Sequence, residues 1–407
     1  MTKFDYMCMY KEEKEQWLNS LQIISGLRYF GGKARIAKYL INHILNMAVK
    51  MEQDKHYKIM FVDAFAGGGK IALSMPEGWF DTIVLNDINY GVYSFFDYCK
   101  NEPEALIRMI EELGSIMSEQ FFKFCAKYRS DKRKVQPLVS AAMTYWVTQT
   151  SFNGVTDSED AEYRYSPDKD FTRSKERVEL ERISRRAREH VMDVHNRMLN
   201  MNIIIENLDY KELIKACNGK PYIRNGVEQK PLNGVEQYSK LWYFDPPYHP
   251  ATLHGGQAAL YEDTFEHQDV KDMVAILHGD YANIYGELEY FIKSDYSPRT
   301  ILRQVEEQLE EIKMAKVKKD EQKQKDDIIK KYQDRIKIVK PYEEDFDILE
   351  ENVNWINHKA NDENPEFYRV LVGEFDKGSL DNENRTTVKG TEYIWCRGNY
   401  IKGMVSD

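Results

Sequence analysis

Two apolar strands joined through a run of glycines are the feature of this sequence that most restricts its fold. Residues 59–63 (Ile-Met-Phe-Val-Asp) have the pattern of a buried strand, and residues 82–85 (Thr-Ile-Val-Leu) have the pattern of a second one. Three consecutive glycines at residues 67–69 follow the first strand, and Asp87 follows the second. A strand, a glycine turn, a helix, a second strand and a terminal acid form the first half of a nucleotide-type α/β fold. The sequence therefore predicts an α/β protein.

The spacing of the glycines and the acid also limits the ligand. Asp87 lies 20 residues after Gly67, and an acid at about this distance holds ribose hydroxyls in such folds. The glycines do not follow the Gly-x-Gly-x-x-Gly pattern that precedes a helix in dinucleotide-binding proteins. An adenosyl ligand smaller than a dinucleotide is therefore favoured, and a tight strand–helix connection is the structural alternative.

Later apolar segments alternate with helical stretches and complete the predicted sheet. They are residues 202–205, 241–244, 290–293, 368–372 and 392–395. This alternation is typical of α/β sheets, and the last two segments, on either side of a connection rich in Gly, Asn and Asp, predict an antiparallel pair. The predicted catalytic domain is discontinuous and comprises residues 22–98, 200–298 and 352–402.

Two stretches do not have the pattern of this sheet. Residues 99–199 are mostly helical by pattern, basic and aromatic. Residues 299–351 are rich in Lys, Glu and Gln, and apolar residues recur at helical spacing on both sides of a wholly polar segment at 318–327. This pattern predicts a charged helical insertion, either a helical hairpin with a narrow apolar seam or one long helix. A solvent-exposed spacer and an arm that contacts DNA or a partner protein are the two interpretations of its role.

The segment with the most specific chemistry is residues 241–248, Leu-Trp-Tyr-Phe-Asp-Pro-Pro-Tyr. Pro246 and Pro247 fix the backbone, so a rigid carbonyl at Pro246 would stand beside the carboxylate of Asp245. These two acceptors suit the two N–H groups of an exocyclic amine on a flat base. They would make its nitrogen more nucleophilic and stabilise the positive charge of the transition state. Tyr248 would stack on the base, and an ordinary strand followed by a proline-rich turn is the alternative for this motif taken alone.

Charge and cysteine usage exclude several classes of protein. The formal net charge is −10, yet residues 123–134 contain six basic side chains and the single acid Asp131. Such a cluster is either a solvated face or a phosphate-binding surface, since net charge does not exclude a positive patch. The five cysteines form no Cys-x-x-Cys pair, which argues for a reduced, cytosolic protein without a zinc ribbon or disulfide framework. No apolar run approaches the roughly 18–20 residues of a membrane span.

The chain resembles a DNA adenine-N6 methyltransferase of the Dam type, in the alpha group of amino-methyltransferases. The segments that carry the resemblance are Leu-Arg-Tyr-Phe-Gly-Gly-Lys (27–33), Phe-Ala-Gly-Gly-Gly (65–69), Asn-Asp-Ile-Asn (86–89), Ser-Phe-Asn-Gly (151–154), Asn-Leu-Asp-Tyr (207–210), Asp-Pro-Pro-Tyr (245–248) and Thr-Phe (264–265). The resemblance implies the Rossmann-like mixed sheet of S-adenosylmethionine-dependent methyltransferases, with a helical target-recognition domain at 99–199. The long helical insertion predicted at 299–351 from the residue pattern would be an addition to this fold. It implies methylation of adenine in double-stranded DNA, in the cytoplasm of a bacterial or phage-infected cell.

The resemblance also implies a role for each motif, with S-adenosyl-L-methionine as methyl donor and an adenine flipped out of the duplex as target. The implied cofactor-binding residues are Tyr29, Gly32, Lys33, Asp63, Phe65, Gly67, Gly69, Asp87, Ile88, Asp209, Tyr210 and Asp245. Tyr29 and Lys33 would contact the donor's amino-acid end and Asp87 its ribose, while Asp209 and Tyr210 would border its adenine. The expected catalytic residues are Asp245, Pro246, Pro247 and Tyr248, and the expected DNA-binding residues are Arg129, Lys132, Arg133, Lys134 and Asn153. No metal is expected.

The chain departs from the family pattern in its target-recognition region. Residues 155–171 lack the Arg-x-Asn and Phe-Asn-x-Pro-x-Gly pieces of the hairpin that reads DNA, so no recognition sequence is carried over. The insertion at 299–351 has no counterpart in compact members, and a restriction endonuclease or another protein is the partner considered for it. Cytosine-N4 methylation and a non-catalytic DNA-binding subunit with the same fold are the alternative functions. For Lys33 a solvated lysine, and for Asp209 a helix N-cap, are the structural alternatives.

Overall fold

The computed structural model describes most of the first 294 residues and parts of the remainder. The described residues are 1–28, 33, 36–151, 162–166, 172–247, 265, 267–294, 302, 305–306, 309–310, 312–314, 322–340, 354–355, 367–377 and 388–397. The chain divides into two compact units, of which the first is built mainly from residues 1–245 and the second mainly from the chain after Asp245. No helix among the described residues is long and apolar enough to cross a membrane.

The first unit contains a parallel sheet. Its elements, in chain order, are α1 (Lys3–Cys8), α2 (Lys11–Ser20), α3 (Ala37–Gln53), β1 (Ile59–Asp63), α4 (Lys70–Ser74), β2 (Thr82–Asn86), α5 (Tyr90–Asn101), α6 (Pro103–Ser115), α7 (Glu119–Tyr128), α8 (Pro137–Thr150), α9 (Arg173–Leu199), β3 (Ile203–Glu206), α10 (Tyr210–Cys217), β4 (Tyr222–Arg224), β5 (Val227–Gln229) and β6 (Ser239–Phe244). Strands β3, β2, β1 and β6 lie side by side in that order, and every pair is parallel. Phe61 in β1 lies opposite Ile83 in β2 and Leu241 in β6. The predicted α/β architecture and these four strands are confirmed.

The strands of this sheet are apolar because both of their faces are covered. Every residue of β1 and β2 is buried, as are the last four residues of β6. Continuous apolar runs are the pattern of strands with helices on both faces of a parallel sheet. In β6, Trp242 and Phe244 point to the same face, and their parallel rings lie 5.7 Å apart. Because all four strands are parallel, their carboxyl ends meet at one edge of the sheet.

A helical layer built around α8 accounts for most of the region between β2 and β3. Helices α5, α6 and α7 pack against α8, and α9 packs against α5 and α6. The indole Nε1 of Trp146, in the middle of α8, donates to the carbonyl of Ile110 in α6 at 2.8 Å. A side chain at Gly114 would collide with the same indole, which explains the glycine there. The predicted helical character of residues 99–199 is confirmed for α6–α9, and these helices belong to the first unit.

A hairpin between α10 and β6 was not predicted from the sequence. Strands β4 and β5 pair in antiparallel fashion around Asn225 and Gly226, which have φ angles of 52° and 77°. Positive φ at both central residues is the requirement of the tight hairpin turn that Asn-Gly favours. The five residues Asn-Gly-Val-Glu-Gln at 225–229 recur at 233–237, where the last three form a 3₁₀ helix instead of a strand.

The second unit contains an antiparallel sheet and helices. The elements after Asp245 are α11 (His267–His278), α12 (Ala282–Tyr285), β7 (Tyr290–Ser294), α13 (Gln322–Val339), β8 (Asn354–Trp355), β9 (Phe367–Lys377) and β10 (Val388–Arg397). Of these, α12 lies almost entirely in a segment, residues 283–290, that belongs to the first unit. Strand β10 pairs in antiparallel fashion with both β7 and β9, which confirms the predicted pair near the C-terminus. In the insertion, the Nζ of Lys325 donates to the carbonyl of Lys313 at 2.8 Å. Twelve residues of one helix would span about 18 Å, so this contact favours a helical hairpin over a single helix.

Candidate active site

Three aspartates lie at the carboxyl edge of the parallel sheet in the first unit. Asp63 is the last residue of β1, Asp87 follows β2, and Asp245 follows β6. Parallel strands present their carboxyl ends to one edge, and ligands of open α/β sheets bind outside that edge. Asp63 and Asp87 are buried, with 1% and 8% of their surface exposed. The three predicted acids are therefore brought together, in an environment where an uncompensated negative charge is costly.

Lys33 supplies positive charge to this group of acids. Its Nζ lies 2.8 Å from Oδ2 of Asp245, and the two side chains are only 8% and 16% exposed. The sequence predicted different contacts for these residues, since Lys33 was expected at the donor's amino-acid end and Asp245 at the target amine. Lys70, the first residue of α4, is a second cation in this region. Burial lowers the pKa of Lys70, and the charge of Lys33 lowers it further.

Among the three aspartates, Asp63 is the one whose negative charge is least compensated by nearby cations and hydrogen bonds. Burial raises the pKa of its carboxyl group well above the ordinary value, and the charges of Asp245 and Asp87 raise it further. Hydrogen bonds from the backbone of Ala72 and Phe65 oppose this rise. One oxygen, Oδ1, is buried and has no hydrogen-bond partner among the described residues. Asp63 is thus a strong acceptor site for a cationic hydrogen-bond donor.

The glycine turn is held by Asp87. The N–H of Gly67, which has φ of 49°, donates to Oδ2 of Asp87 at 2.7 Å. The N–H of Asn89 donates to Oδ1 of the same carboxylate at 2.9 Å. A carboxylate has about four acceptor positions, so ribose hydroxyls can donate to Asp87 alongside these backbone groups. The acid predicted to bind ribose therefore also shapes the turn that would surround the ligand.

The N-terminal segment that leads to Lys33 packs directly on the glycine turn. The N–H groups of Gly26 and Leu27 donate to the carbonyl of Gly68 at 2.8 and 3.3 Å. A Cβ atom at Gly68 would lie 2.5 Å from the carbonyl oxygen of Leu27, well inside van der Waals contact. Glycine is required at this position because two backbone segments meet there.

Asn86 is a structural residue of the site whose role the sequence analysis missed. Its Nδ2 donates to the carbonyls of Ala64 and Leu208, each at 3.0 Å, and its Oδ1 accepts from the N–H of Leu208 at 3.0 Å. One amide therefore joins the loops that follow β1 and β3. The signal in the sequence was an amide at the end of an otherwise apolar strand, directly before Asp87.

The loop after β3 contributes an aromatic wall. Tyr210 is buried at the start of α10, and its ring lies 5.8 Å from that of Phe65 in the glycine turn. Asp209 is the N-cap of α10, where its Oδ1 accepts from the N–H of Lys211 at 2.9 Å. The structural alternative for Asp209, a helix N-cap, is thus observed.

Comparison with known protein families shows to which family the chain belongs. The family model of the D12 class N6 adenine-specific DNA methyltransferases matches residues 29–286, which is more than half of the chain. The chain belongs to this family. It is an adenine-specific DNA methyltransferase, and the matched residues include all three aspartates of the sheet edge. No curated protein sequence matches the chain.

A pocket beside the sheet edge brings together residues that the sequence analysis assigned to two different ligands. The methyltransferase has here a cavity of about 420 Å³ lined by Ile88, Tyr90, Ser130, Asp131, Lys132 and Arg133. Ile88 was predicted to contact the cofactor, whereas Lys132 and Arg133 were predicted to contact DNA. The Nζ of Lys132 lies 5.3 Å from the centre of the Tyr90 ring, a cation–π distance. The hydroxyl of Ser130 donates to Oδ1 of Asn89 at 2.9 Å, which ties this loop to the turn after β2.

Arg129 does not belong with the basic residues on the surface of the methyltransferase. Only 1% of its surface is exposed, and its Nη1 donates to the carbonyl of Ala126 at 2.8 Å. The prediction that Arg129 binds DNA is therefore corrected: its guanidinium group lies inside the helical layer and does not reach a phosphate. Lys132, Arg133 and Lys134 are exposed, and the last two form ion pairs with Asp131 at 3.5 and 3.0 Å.

Three arginines whose charges act on Tyr165 were not predicted to lie near one another, and the guanidinium of Arg164 is 5.9 Å from the centre of the Tyr165 ring. The charges of Arg164, Arg182 and Arg28 act on the buried phenol of Tyr165, as does the opposite charge of Glu179, which forms an ion pair with Arg182. Burial lowers the pKa of Arg28, and the neighbouring charge of Arg164 lowers it further. Two guanidinium groups that repel each other in this way would be stabilised by a phosphate. Scattered positions in the sequence gave no signal for this group.

Several predicted site residues cannot be placed. Tyr29, Gly32, Asn153 and Tyr248 lie outside the described residues. Pro246 and Pro247 follow Asp245 directly, and the described part of the chain contains no group of three or more His, Cys, Asp or Glu side chains that could hold a metal ion.

Proposed function

We propose that this methyltransferase transfers the methyl group of S-adenosyl-L-methionine to N6 of an adenine that has flipped out of double-stranded DNA at a specific site. The observation that carries the proposal is the row of Asp63, Asp87 and Asp245 at one edge of the sheet. In-line transfer requires the sulfonium methyl and the amine nitrogen to approach within about 3–3.5 Å. An adenine stacked in a duplex cannot come this close to a recessed carboxylate, so the base must leave the stack.

The residues at the sheet edge fit the proposed donor. The buried, unpartnered Oδ1 of Asp63 suits the ammonium group of an amino acid, and Lys33 or Lys70 suits its carboxylate. Asp87 suits the ribose hydroxyls. Gly67 and Gly69 have φ angles of 49° and 69° and leave room for close approach to the backbone. When bound, the donor supplies an electrophilic methyl group on a sulfonium.

Asp245 is proposed to act on the adenine rather than on the donor. Its carboxylate would accept a hydrogen bond from N6 and stabilise the positive charge that grows there during transfer. It would not deprotonate N6 beforehand, because the neutral amine is far too weak an acid, so proton loss follows transfer. The motif assigns the second N–H of the amine to the carbonyl of Pro246 and the stacking on the base to Tyr248.

The positive surface of the first unit is proposed to hold the DNA backbone. Lys132, Arg133 and Lys134 are exposed on the loop between α7 and α8, next to the turn that follows β2. Phosphate contacts of this kind position a duplex without reading its sequence. Residues 99–199, with Asn153, would select the target. The insertion at 299–351 would contact DNA or a partner such as a restriction endonuclease, in the cytoplasm of a bacterial or phage-infected cell.

The role of Asp245 is tested by single-turnover methylation of DNA with S-adenosyl-L-methionine, with a fluorescent base analogue at the target to report flipping. The recognition site is found first by modified-base sequencing of DNA from cells that express the protein. Asp245→Ala should reduce the rate of transfer by orders of magnitude, because the lost hydrogen bond acts mainly in the transition state. The control Asp97→Asn changes an acid of α5 away from the sheet edge. A folded Asp245→Ala variant that methylates adenine at a near wild-type rate would show that the assignment is wrong.

A further inference from the structure

Three aromatic rings form a row along α7 that the core does not require. Phe121, Phe124 and Tyr128 are spaced by three and four residues, so they lie on one face of the helix. The nearly parallel rings of Phe121 and Phe124 are 6.0 Å apart, and the rings of Phe124 and Tyr128, tilted by 52°, are 4.9 Å apart. Phe124 is 49% exposed. We call these three residues the α7 aromatic row.

The core contacts of α7 are made by a different face. Its residues Phe122, Cys125 and Ala126 are all fully buried. The ring of Phe122 also lies 5.2 Å from that of the buried Tyr163. A helix that has already buried an apolar stripe gains little from a second, exposed one. Phe124 is exposed and Phe121 and Tyr128 are half-buried, and a contiguous row of partly exposed aromatic rings indicates a binding surface.

Lysines border the aromatic row and make it positive. The Nζ atoms of Lys127 and Lys134 lie 5.7 and 5.0 Å from the centre of the Tyr128 ring. Lys127 is exposed and forms no ion pair with any described residue, whereas Lys134 pairs with Asp131. Lys123, also exposed, pairs with Glu119 at 3.0 Å. The row therefore combines flat apolar faces with cations, and the complementary ligand has flat faces and negative charge.

The aromatic row leads toward the sheet edge. Tyr128 ends α7, and two residues later the hydroxyl of Ser130 hydrogen-bonds Asn89 in the turn after β2. The same loop lines the 420 Å³ pocket with Ile88, the neighbour of Asp87. A ligand that lies along α7 would thus reach the part of the surface next to the proposed active site.

We propose that the α7 aromatic row binds unpaired nucleotides of a DNA strand, with Lys127 and Lys134 on its phosphates. Bases in a duplex are already stacked on one another and expose edges and phosphates, whereas unpaired bases expose faces that stack on aromatic side chains. Helix α7 is about 15 Å long, which suits two or three nucleotides. The inference deepens the proposed function, because it names the form of DNA that this enzyme holds beside its target.

The test compares a single strand with a duplex. Fluorescence anisotropy of the full-length protein without cofactor would measure the affinity for labelled oligothymidine and for a duplex of equal length. Oligothymidine contains no adenine, so capture in the catalytic pocket does not contribute to the signal. Phe124→Ala should weaken oligothymidine binding by about 5- to 150-fold, the range for loss of one stacking contact, and leave duplex binding within about twofold. Phe124→Trp should restore the single-strand affinity, since a ring is present again.

Matched controls separate stacking from charge and from folding. Val178→Ala removes another apolar side chain with 59% exposure, on α9, and should change neither affinity. Lys127→Gln should weaken oligothymidine binding and reduce its salt dependence. Three results would overturn the proposal. They are no binding of oligothymidine to the wild type, equal oligothymidine affinity in Phe124→Ala and wild type, or an equal loss of oligothymidine and duplex affinity in Phe124→Ala. Asp245→Ala should bind oligothymidine normally, so a failure of the proposed catalytic assignment would leave this result unchanged.

Discussion

Replacement of Asp63 by asparagine tests how the sheet edge receives the donor. The variant keeps the size of the side chain and removes its negative charge. In the wild type, burial and the neighbouring charges of Asp245 and Asp87 raise the pKa of Asp63, so its ionised form is disfavoured in the free protein. An ammonium group placed against the unpartnered Oδ1 would favour the ionised form. Cofactor binding should therefore release a proton from Asp63, and affinity should increase as the pH rises toward the raised pKa.

The magnitude follows from the single contact that would be lost. A hydrogen bond to a charged group contributes about 1.5–3 kcal/mol. Asp63→Asn should accordingly weaken cofactor binding by about 10- to 150-fold at neutral pH. The pKa of Asp63 is raised in the folded state, so its contribution to stability is present below the ordinary carboxyl pKa and is lost as the pH rises through the raised value. The free energy of unfolding of the wild type should therefore decline as the pH rises through this value, and in Asp63→Asn this decline should be absent.

Isothermal titration calorimetry in buffers with different ionisation enthalpies measures both affinity and proton release. The wild type should release a proton in the pH range below the raised pKa, and Asp63→Asn should release none. Asp97→Asn is the control, because burial also raises the pKa of Asp97, in α5, but no ligand is proposed there. Its cofactor affinity should equal that of the wild type. Equal affinity and equal proton release in wild type and Asp63→Asn would refute the placement of the donor's ammonium group at Asp63.

Two further substitutions test the architecture of the edge. Gly68→Ala should destabilise the protein by about 1–3 kcal/mol and weaken cofactor binding, because its Cβ would meet the carbonyl of Leu27 at 2.5 Å. Urea unfolding measures the loss of stability, and calorimetry measures the cofactor affinity. Unchanged values would show that the glycine turn and the segment at Leu27 can separate without cost. Asn86→Ala should cost about 2–5 kcal/mol of unfolding free energy, since it leaves buried backbone groups at Ala64 and Leu208 without partners. Asn202→Ala removes two hydrogen bonds of an exposed asparagine and should cost less than about 1 kcal/mol; equal losses in both variants would contradict the role given to Asn86.

The buried strands and the acids at the ends of three of them were accessible from the sequence, whereas the order of the strands in the sheet was not predicted. Apolar runs in the sequence predict buried strands. When such strands are parallel, their carboxyl ends lie at the same edge of the sheet, whichever strands are neighbours. The pairing of Lys33 with Asp245 was not accessible, because the residues are far apart in sequence and each had a separate role in the family pattern. The burial of Arg129 was missed for a related reason. Its neighbours in sequence are exposed cations, and only the packing of α7 on α8 decides which side chain turns inward.

The repeated pentapeptide shows the limit of local sequence most directly. Asn-Gly-Val-Glu-Gln at 225–229 turns through Asn225 and Gly226 into strand β5, because β4 is available to pair with it. At 233–237 the glycine again has a positive φ, of 70°, but a 3₁₀ helix follows and Val235 is fully buried. Val227 is 60% exposed in the hairpin. The glycine conformation is therefore encoded locally, whereas strand or helix is decided by the surroundings.

The ion pair between Lys33 and Asp245 has a consequence for the order in which substrates act. An adenine that arrives first would meet a carboxylate already neutralised by Lys33, whereas the carboxylate of the donor's amino-acid end competes for that lysine. We therefore expect Asp245 to become available to DNA only in the donor-bound enzyme. The by-product of transfer keeps the same amino-acid end, so Lys33 would remain engaged after each reaction. Lys33 would pair with Asp245 again only when the by-product leaves, so each round of methylation would begin with the binding of a new donor.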